Sequence, residues 1–235
     1  MGILSKINIG ADLDNRLEII RMFERTNETR KVLEIGPGER PLILEYPGNG
    51  IFFGIEYPGF AGKTIEVFRE KGKTILMKEC DIDTEEWPFR DNEFDVIVSN
   101  QVIEHLANTD HFFEEFYRIM KKGGYGIIST PNLSSLHNII QLLLSFQPVF
   151  CNVSDKFLGL GNPLSSQRFQ RRPYPFHSHL RIFTTRALVD MCRVYGFKVE
   201  DIKGGTFMGI PLLGRFLSRL LPYYSYYCEV KIRKI

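Results

Sequence analysis

Residues 32–40 read Val-Leu-Glu-Ile-Gly-Pro-Gly-Glu-Arg, and no other stretch restricts the fold of this chain as tightly. Val32, Leu33 and Ile35 make a short apolar run of the kind that forms a buried strand. The run stops at Gly36-Pro37-Gly38. Glycines just past a strand let the backbone turn sharply and let a ligand approach closer than a side chain would permit. An acid, Glu34, is held two residues before that turn.

Beyond the turn, strand and helix patterns alternate. Residues 50–56 read as a second strand, 61–72 as a polar helix closed by Gly72, and 73–82 as holding a third strand. Residues 94–100, Phe-Asp-Val-Ile-Val-Ser-Asn, have the hydrophobicity of a strand buried on both faces. Over 104–124 the spacing of Phe112, Phe113, Phe116, Ile119 and Met120 predicts a helix that stops at Lys121-Lys122-Gly123-Gly124. Residues 125–130 are a fifth strand, ended by Pro131. Such alternation predicts a parallel sheet with right-handed crossovers and helices on both faces. Ligands of these sheets sit at the carboxyl ends of the strands. Gly36, Pro37, Gly38, Glu56, Asp81 and Asn100 all fall at such ends.

From 131 to 183 the regular pattern gives way to a long irregular insertion. A helix follows at 184–196, then strands at 197–202 and 226–235, which leave no room for an ordinary crossover helix and predict an antiparallel end to the sheet. Within an N-terminal helical segment, 1–30, residues 12–30 read as an amphipathic helix over the ligand side. At 235 residues the chain is read as one domain, 1–235.

Composition sets limits. With 43% hydrophobic and 25% charged residues and a net charge of +2, the chain is of ordinary globular type, and its charge alone implies no nucleic-acid partner. Cys80, Cys151, Cys192 and Cys228 contain no Cys-x-x-Cys pair, which argues for reduced thiols in a cytoplasmic protein rather than for a zinc site or disulfides. No apolar run approaches the ~20 residues that span a bilayer, and the N-terminus reads as no signal peptide.

A dinucleotide fingerprint would need a third glycine where Pro41 stands. Tyr117 and Lys121 make a Tyr-x-x-x-Lys, but they precede the fifth strand and lack the glycine motif that accompanies it in short-chain dehydrogenases. The set as a whole resembles the class I S-adenosylmethionine-dependent methyltransferases. "VLEIGPGER" is similar to their first motif, Glu56 to the acid closing the second strand, and 80–106 to the adenine-binding and fourth-strand segments. "KKGGYGIISTPN" and "HLRIFTTRALVDMCRVYGFKVEDI" are similar to the fifth strand and the closing helix and strand. The resemblance covers about residues 30–130 and 179–202 and implies a Rossmann-like sheet, mostly parallel, with S-adenosyl-L-methionine as cofactor.

It also implies roles. Gly36, Pro37 and Gly38 would approach the methionine moiety, and Glu34 would help place its ammonium group. Glu56 would accept from both ribose hydroxyls, with Tyr57 beside it. Asp81 and the backbone of Ile82 would address the adenine, and Asn100 and Gln101 would close the set. Asp81 as a turn cap and Glu56 as a solvated acid are the plainer readings of each residue alone. A non-catalytic nucleotide-binding scaffold with the same fold is the rival to an enzyme.

Methyl transfer from a sulfonium needs alignment above all, and a base only for a hydroxyl or a protonated amine. His105, just past the fourth strand, is the candidate base; a histidine that only packs locally is the alternative. "QVIEHL" (101–106) resembles the Glu-x-x-Glu-His element of small-RNA 3′-terminal 2′-O-methyltransferases and ubiquinone-pathway O-methyltransferases, where acids and histidines hold a divalent ion. Gln101 replaces the first acid and is a poorer ligand for a hard cation, so no metal is expected, although His179 falls where a further histidine would.

The insertion carries the acceptor signal. Lys156, Arg168, Arg171, Arg172, Arg181 and Arg186 lie between 156 and 186 without an acid, interleaved with aromatic residues and His179. Guanidinium forks suit phosphate or carboxylate. Arg171, Arg172, His179 and Arg181 are therefore the candidate acceptor-binding residues, for a small or a glycan- or lipid-linked anionic molecule methylated on oxygen. Nucleic acid is the second choice, the alternative function being a metal-assisted RNA 2′-O-methyltransferase. Residues 212–227, apolar with Arg215 and Arg219 four apart, read as an interfacial helix or as a covering or dimer helix.

Overall fold

The computed structural model describes residues 3–148, 150–165, 167–171, 179–207 and 211–235. Seven strands form one sheet: β1 (Arg30–Ile35), β2 (Gly50–Glu56), β3 (Ile75–Glu79), β4 (Phe94–Asn100), β5 (Met120–Pro131), β6 (Phe197–Lys203) and β7 (Tyr227–Lys234), in the order β3-β2-β1-β4-β5-β7-β6. The first five run parallel, whereas β7 is antiparallel to both β5 and β6. This is the mostly parallel, Rossmann-like sheet with the predicted antiparallel end. The sequence order turns back between β1 and β4, and the crevice at such a switch point is where ligands of open α/β sheets bind.

Apolar burial on both faces holds the sheet. In β4, Phe94 and Ile97 join one core with Leu33, Phe112 and Leu188, while Val96 and Val98 join the other with Ile19, Phe52 and Ile127. Helices α1 (Ile3–Met22), α2 (Ala61–Glu70), α3 (Thr109–Ile119), α4 (Leu136–Leu143), α5 (Thr185–Val194) and α6 (Pro211–Leu220) complete the fold. Among the described residues no helix is long and apolar enough to cross a membrane.

Three elements differ from expectation. The helix predicted over 104–124 is only α3. The amides of Ala107 and Asn108 are taken by the carboxylate of Asp83 (3.0 and 2.7 Å), and the Asn108 side chain caps the helix by accepting from His111 N–H. At the other end, Lys234 of β7 donates to the carbonyls of Tyr117 and Met120 (2.8 and 2.9 Å). Met120–Gly124 thus belong to β5, with Met120 paired to Phe94. The insertion holds a regular helix, α4, where irregular chain was expected. The N-terminal helix runs over 3–22 rather than 12–30, and Ile19 and Met22 bury it against the second core.

Candidate active site

The β1 turn is built around two glycines with different needs. Gly36 has φ +63°, and a Cβ there would meet Val102 Cγ2 at 2.8 Å, so backbone and space both demand glycine. Gly38 also has positive φ (+55°), but a Cβ there would meet nothing within 4 Å. The turn therefore presents open space at Gly38, beside a buried Pro37. Glu34 braces the loop: its oxygens accept from the N–H groups of Leu42 and Ile43, both at 3.0 Å. Burial pushes its carboxyl up to about 7, against the pull of those two donors.

Glu56, at the end of β2, reaches the same turn. One carboxylate oxygen accepts from Gly38 N–H at 2.7 Å and the other from Tyr57 N–H at 3.3 Å, while burial raises the pKa of the group. The Tyr57 side chain is exposed next to it. After β3, Asp81 caps its own turn, accepting from Asp83 N–H and Thr84 Oγ1 (3.1 and 3.0 Å). The Ile82 carbonyl accepts from Trp87 Nε1 at 3.2 Å. Asp83, by holding the amides of Ala107 and Asn108, ties this lip to the segment that carries His105.

Asn100 and Gln101 end β4 in a network that the sequence offers no means to foresee. Asn15 of α1 donates to Asn100 Oδ1 (2.8 Å) and accepts from Ser129 Oγ (2.7 Å), and Gln101 Nε2 donates to that same hydroxyl (3.1 Å). Gln101 itself has φ +58°. Its amide is thus engaged at β5. Asn15 and Ser129 are the residues missed, because the bonds that join them to the end of β4 are long-range.

Beyond β4, residues 103–105 form a 3₁₀ turn. Glu104 is fully buried, with one oxygen accepting from Thr130 Oγ1 at 3.0 Å, and burial pushes its carboxyl up to about 8. His105 is exposed, and its ring centroid lies 5.0 Å from that of His179. His179 Nδ1 faces the Phe150 carbonyl at 3.0 Å. Because a carbonyl only accepts, Nδ1 carries the proton and the lone pair falls on Nε2. Ligand atoms of Glu104, His105 and His179 all lie within 4.8 Å of one another. The backbone amides of Leu180 and Arg181 bond the Glu104 carbonyl, and Arg181 also donates to the Ala107 carbonyl, so the end of the insertion is laced to this turn. Arg171 is exposed at a bridge with Phe157; Arg172 lies outside the described residues.

The site so built has an open glycine turn facing one acid, a capped turn after β3, and a histidine pair where the insertion meets β4. The model of the family described as "Methyltransferase domain" matches residues 11–202. The chain belongs to that family. A Mycolicibacterium smegmatis protein named "Probable S-adenosylmethionine-dependent methyltransferase" is 31% identical over 119 residues, 51% of this chain. The match spans only 34%, about a third, of that relative's length. Among solved structures, an S-adenosylmethionine-dependent methyltransferase from Thermotoga maritima, named as a "possible histamine N-methyltransferase", has a TM-score of 0.60 at 18% identity, covering 97% of this chain and 92% of its own. The [4+2]-cyclase SpnF has a TM-score of 0.60 at 16% identity, covering 94% and 81%. These two likenesses show the fold alone; the family match is what makes this a methyltransferase domain.

Proposed function

We propose that this methyltransferase-family chain transfers a methyl group from S-adenosyl-L-methionine to an oxygen of an anionic acceptor, either small or linked to a glycan or lipid. The observation that carries the reading is the hydrogen bond from Gly38 N–H to Glu56 at 2.7 Å beside the open space at Gly38, which fits a cofactor with a close-lying backbone contact and a ribose diol. When bound, S-adenosylmethionine supplies a methyl group already activated on a sulfonium. The chain's own part is to hold, align and take up a proton. Gly36 turns the chain, Gly38 leaves space for the cofactor, Glu56 accepts from its hydroxyls, and Asp81 and the Ile82 backbone flank its base. Asn100, its side chain held by Asn15, offers its carbonyl to the cofactor's ammonium group. His105 takes the acceptor's hydroxyl proton, and His179 positions it, its own tautomer set by Phe150.

Titration with S-adenosylhomocysteine tests the cofactor reading: no detectable heat of binding sinks it. Binding without methyl transfer in a radiolabel screen of cell extract would favour the scaffold.

A second reading, metal-assisted transfer, is favoured by the closeness of Glu104, His105 and His179. We infer metal-free chemistry, because Gln101 stands where the further acid would, and a neutral amide is a poorer ligand for a hard cation. The expected result is that turnover survives exhaustive chelation. Loss on chelation with recovery in magnesium or manganese decides for the metal.

For the acceptor, replacing Arg171 and Arg172 together by alanine is expected to raise the acceptor KM by roughly ten-fold, the loss of one charge-assisted fork. Affinity for S-adenosylhomocysteine should stay as in the parent. A lysine pair should rescue only in part, since an ammonium does not reproduce the bidentate fork. Equal KM values return both residues to a solvated basic loop.

A further inference from the structure

α4 is amphipathic the wrong way round. Its polar residues His137 and Asn138 are buried, while Ile140, Leu143 and Leu144 face solvent, Leu143 being 80% exposed. Specific contacts fix that orientation. His137 stacks on Tyr226 with ring centroids 4.5 Å apart, and Asn138 Nδ2 donates to the Asn132 carbonyl at 3.1 Å. α6 repeats the inversion. Gly214 and Ser218 are buried, and a Cβ at Gly214 would meet the Phe207 carbonyl at 2.7 Å, so this small face cannot turn outward. Phe216 (58% exposed), Leu220 (61%) and Leu221 lie in water. Large apolar side chains turned outward along a helix are what a soluble surface ordinarily avoids.

The approach to α4 and the exit from α6 are joined. Asn132 Nδ2 and Ser134 Oγ, just before α4, both donate to the Tyr223 carbonyl, just after α6, at 2.9 Å each. Charge identifies the occupant. Neither α4 nor α6 contains an acid, and α6 carries Arg215 and Arg219. Arg186 lies over the Tyr223 ring at 5.0 Å, and Arg219 is exposed on α6 between Phe216 and Leu220. Apolar side chains with arginines among them match the boundary of an anionic bilayer. There the guanidinium groups meet lipid phosphates and the leucines enter the acyl edge.

We propose that the outer faces of α4 and α6 dock this chain onto an anionic membrane surface, lying on the bilayer rather than crossing it. The proposal rests on this surface alone and stands apart from the chemistry assigned to the strand ends. It also sets the start of α5, whose Arg186 belongs to the patch, against the leaflet, where a lipid-linked acceptor would be met.

The test is co-sedimentation of the full chain with phosphatidylcholine vesicles, with and without phosphatidylserine, at low and high salt. The expected result is binding to the anionic vesicles that weakens as salt rises, since surface charge attraction is screened. Leu143→Glu with Leu220→Glu should reduce the partition by at least roughly ten-fold, as two apolar anchors are lost. Both positions are exposed, so the melting temperature and S-adenosylhomocysteine binding should match the parent. Failure of the parent to bind anionic vesicles at low salt overturns the proposal, as does binding that the double variant leaves unchanged. A concentration-dependent dimer in sedimentation, abolished by the same variant in the absence of lipid binding, would assign the face to a second copy and overturn it too.

Discussion

Glu56→Ala is expected to weaken S-adenosylhomocysteine binding by about 2 kcal/mol, roughly thirty-fold, while the chain stays folded. The carboxylate sits at the end of β2 with one oxygen on Gly38 N–H and the other on Tyr57 N–H. Each oxygen keeps a lone pair for a ligand hydroxyl, and hydrogen bonds to a charged acceptor are about twice as strong as neutral ones. Alanine removes both ligand bonds and also frees Gly38 from its anchor, so the turn loses its preorganised shape. Glu56→Gln should lose less, because one acceptor oxygen remains, although its NH2 group then faces a backbone donor. Calorimetry of the three proteins, with melting curves to verify folding, is the measurement. An unchanged dissociation constant in a folded Glu56→Ala chain would remove Glu56 from the site.

How far the sequence could be read depended on the range of the interactions. β2 and β4 have the bounds expected of them, because both are apolar runs punctuated by local signals, and burial on two faces is written in their composition. The glycine turn was legible for the same reason: positive φ and open space are properties that only glycine supplies readily. The helical period misleads at both ends of α3 because distant groups cut it. Asp83 claims the amides before it and Lys234 the carbonyls after it, and neither belongs to a local helical period. Lys121-Lys122-Gly123-Gly124 looks like a helix stop, yet Lys121 pairs with Asp95 of the neighbouring strand.

α4 is hidden in the sequence for the opposite reason. Its apolar period is real, but the face that folding buries is the polar one, so the pattern does not announce core packing. The candidate site divides in the same way. Glu104 and His105 are adjacent in the chain and could be paired by eye, whereas His179 joins them only through the fold. The bonds from Asn15 to Asn100 and Ser129 span 85 and 114 residues, beyond any local signal.

Glu34→Gln is expected to flatten part of the dependence of folding stability on pH. Burial outweighs two backbone donors and the nearby Arg16, and the Glu34 carboxyl stands at about 7 in the folded chain against an ordinary 4.5. Between those values the folded chain holds a proton that the unfolded chain has released. Stability then falls as pH rises through that window, because it rises with pH only where the unfolded state binds more protons. Below 4.5 both states are protonated, and above about 7 both have ionised, so the full cost is reached near neutrality. At about 1.4 kcal/mol per unit, this amounts to roughly 3 kcal/mol for the charged, buried form. Denaturant unfolding at pH 5 and pH 8, for parent and variant, reads it directly. Glu104 and Glu229, also raised by burial, titrate in the same sense in both proteins, so it is the difference between the two slopes that belongs to Glu34. Glutamine costs some stability at every pH, since its NH2 opposes a backbone N–H that the carboxylate accepted, and an offset between the curves is therefore no argument either way. Parallel curves would mean that the amides of Leu42 and Ile43 hold Glu34 ionised across the range. The acid would then brace the glycine turn as a permanent anion, with no proton to lose.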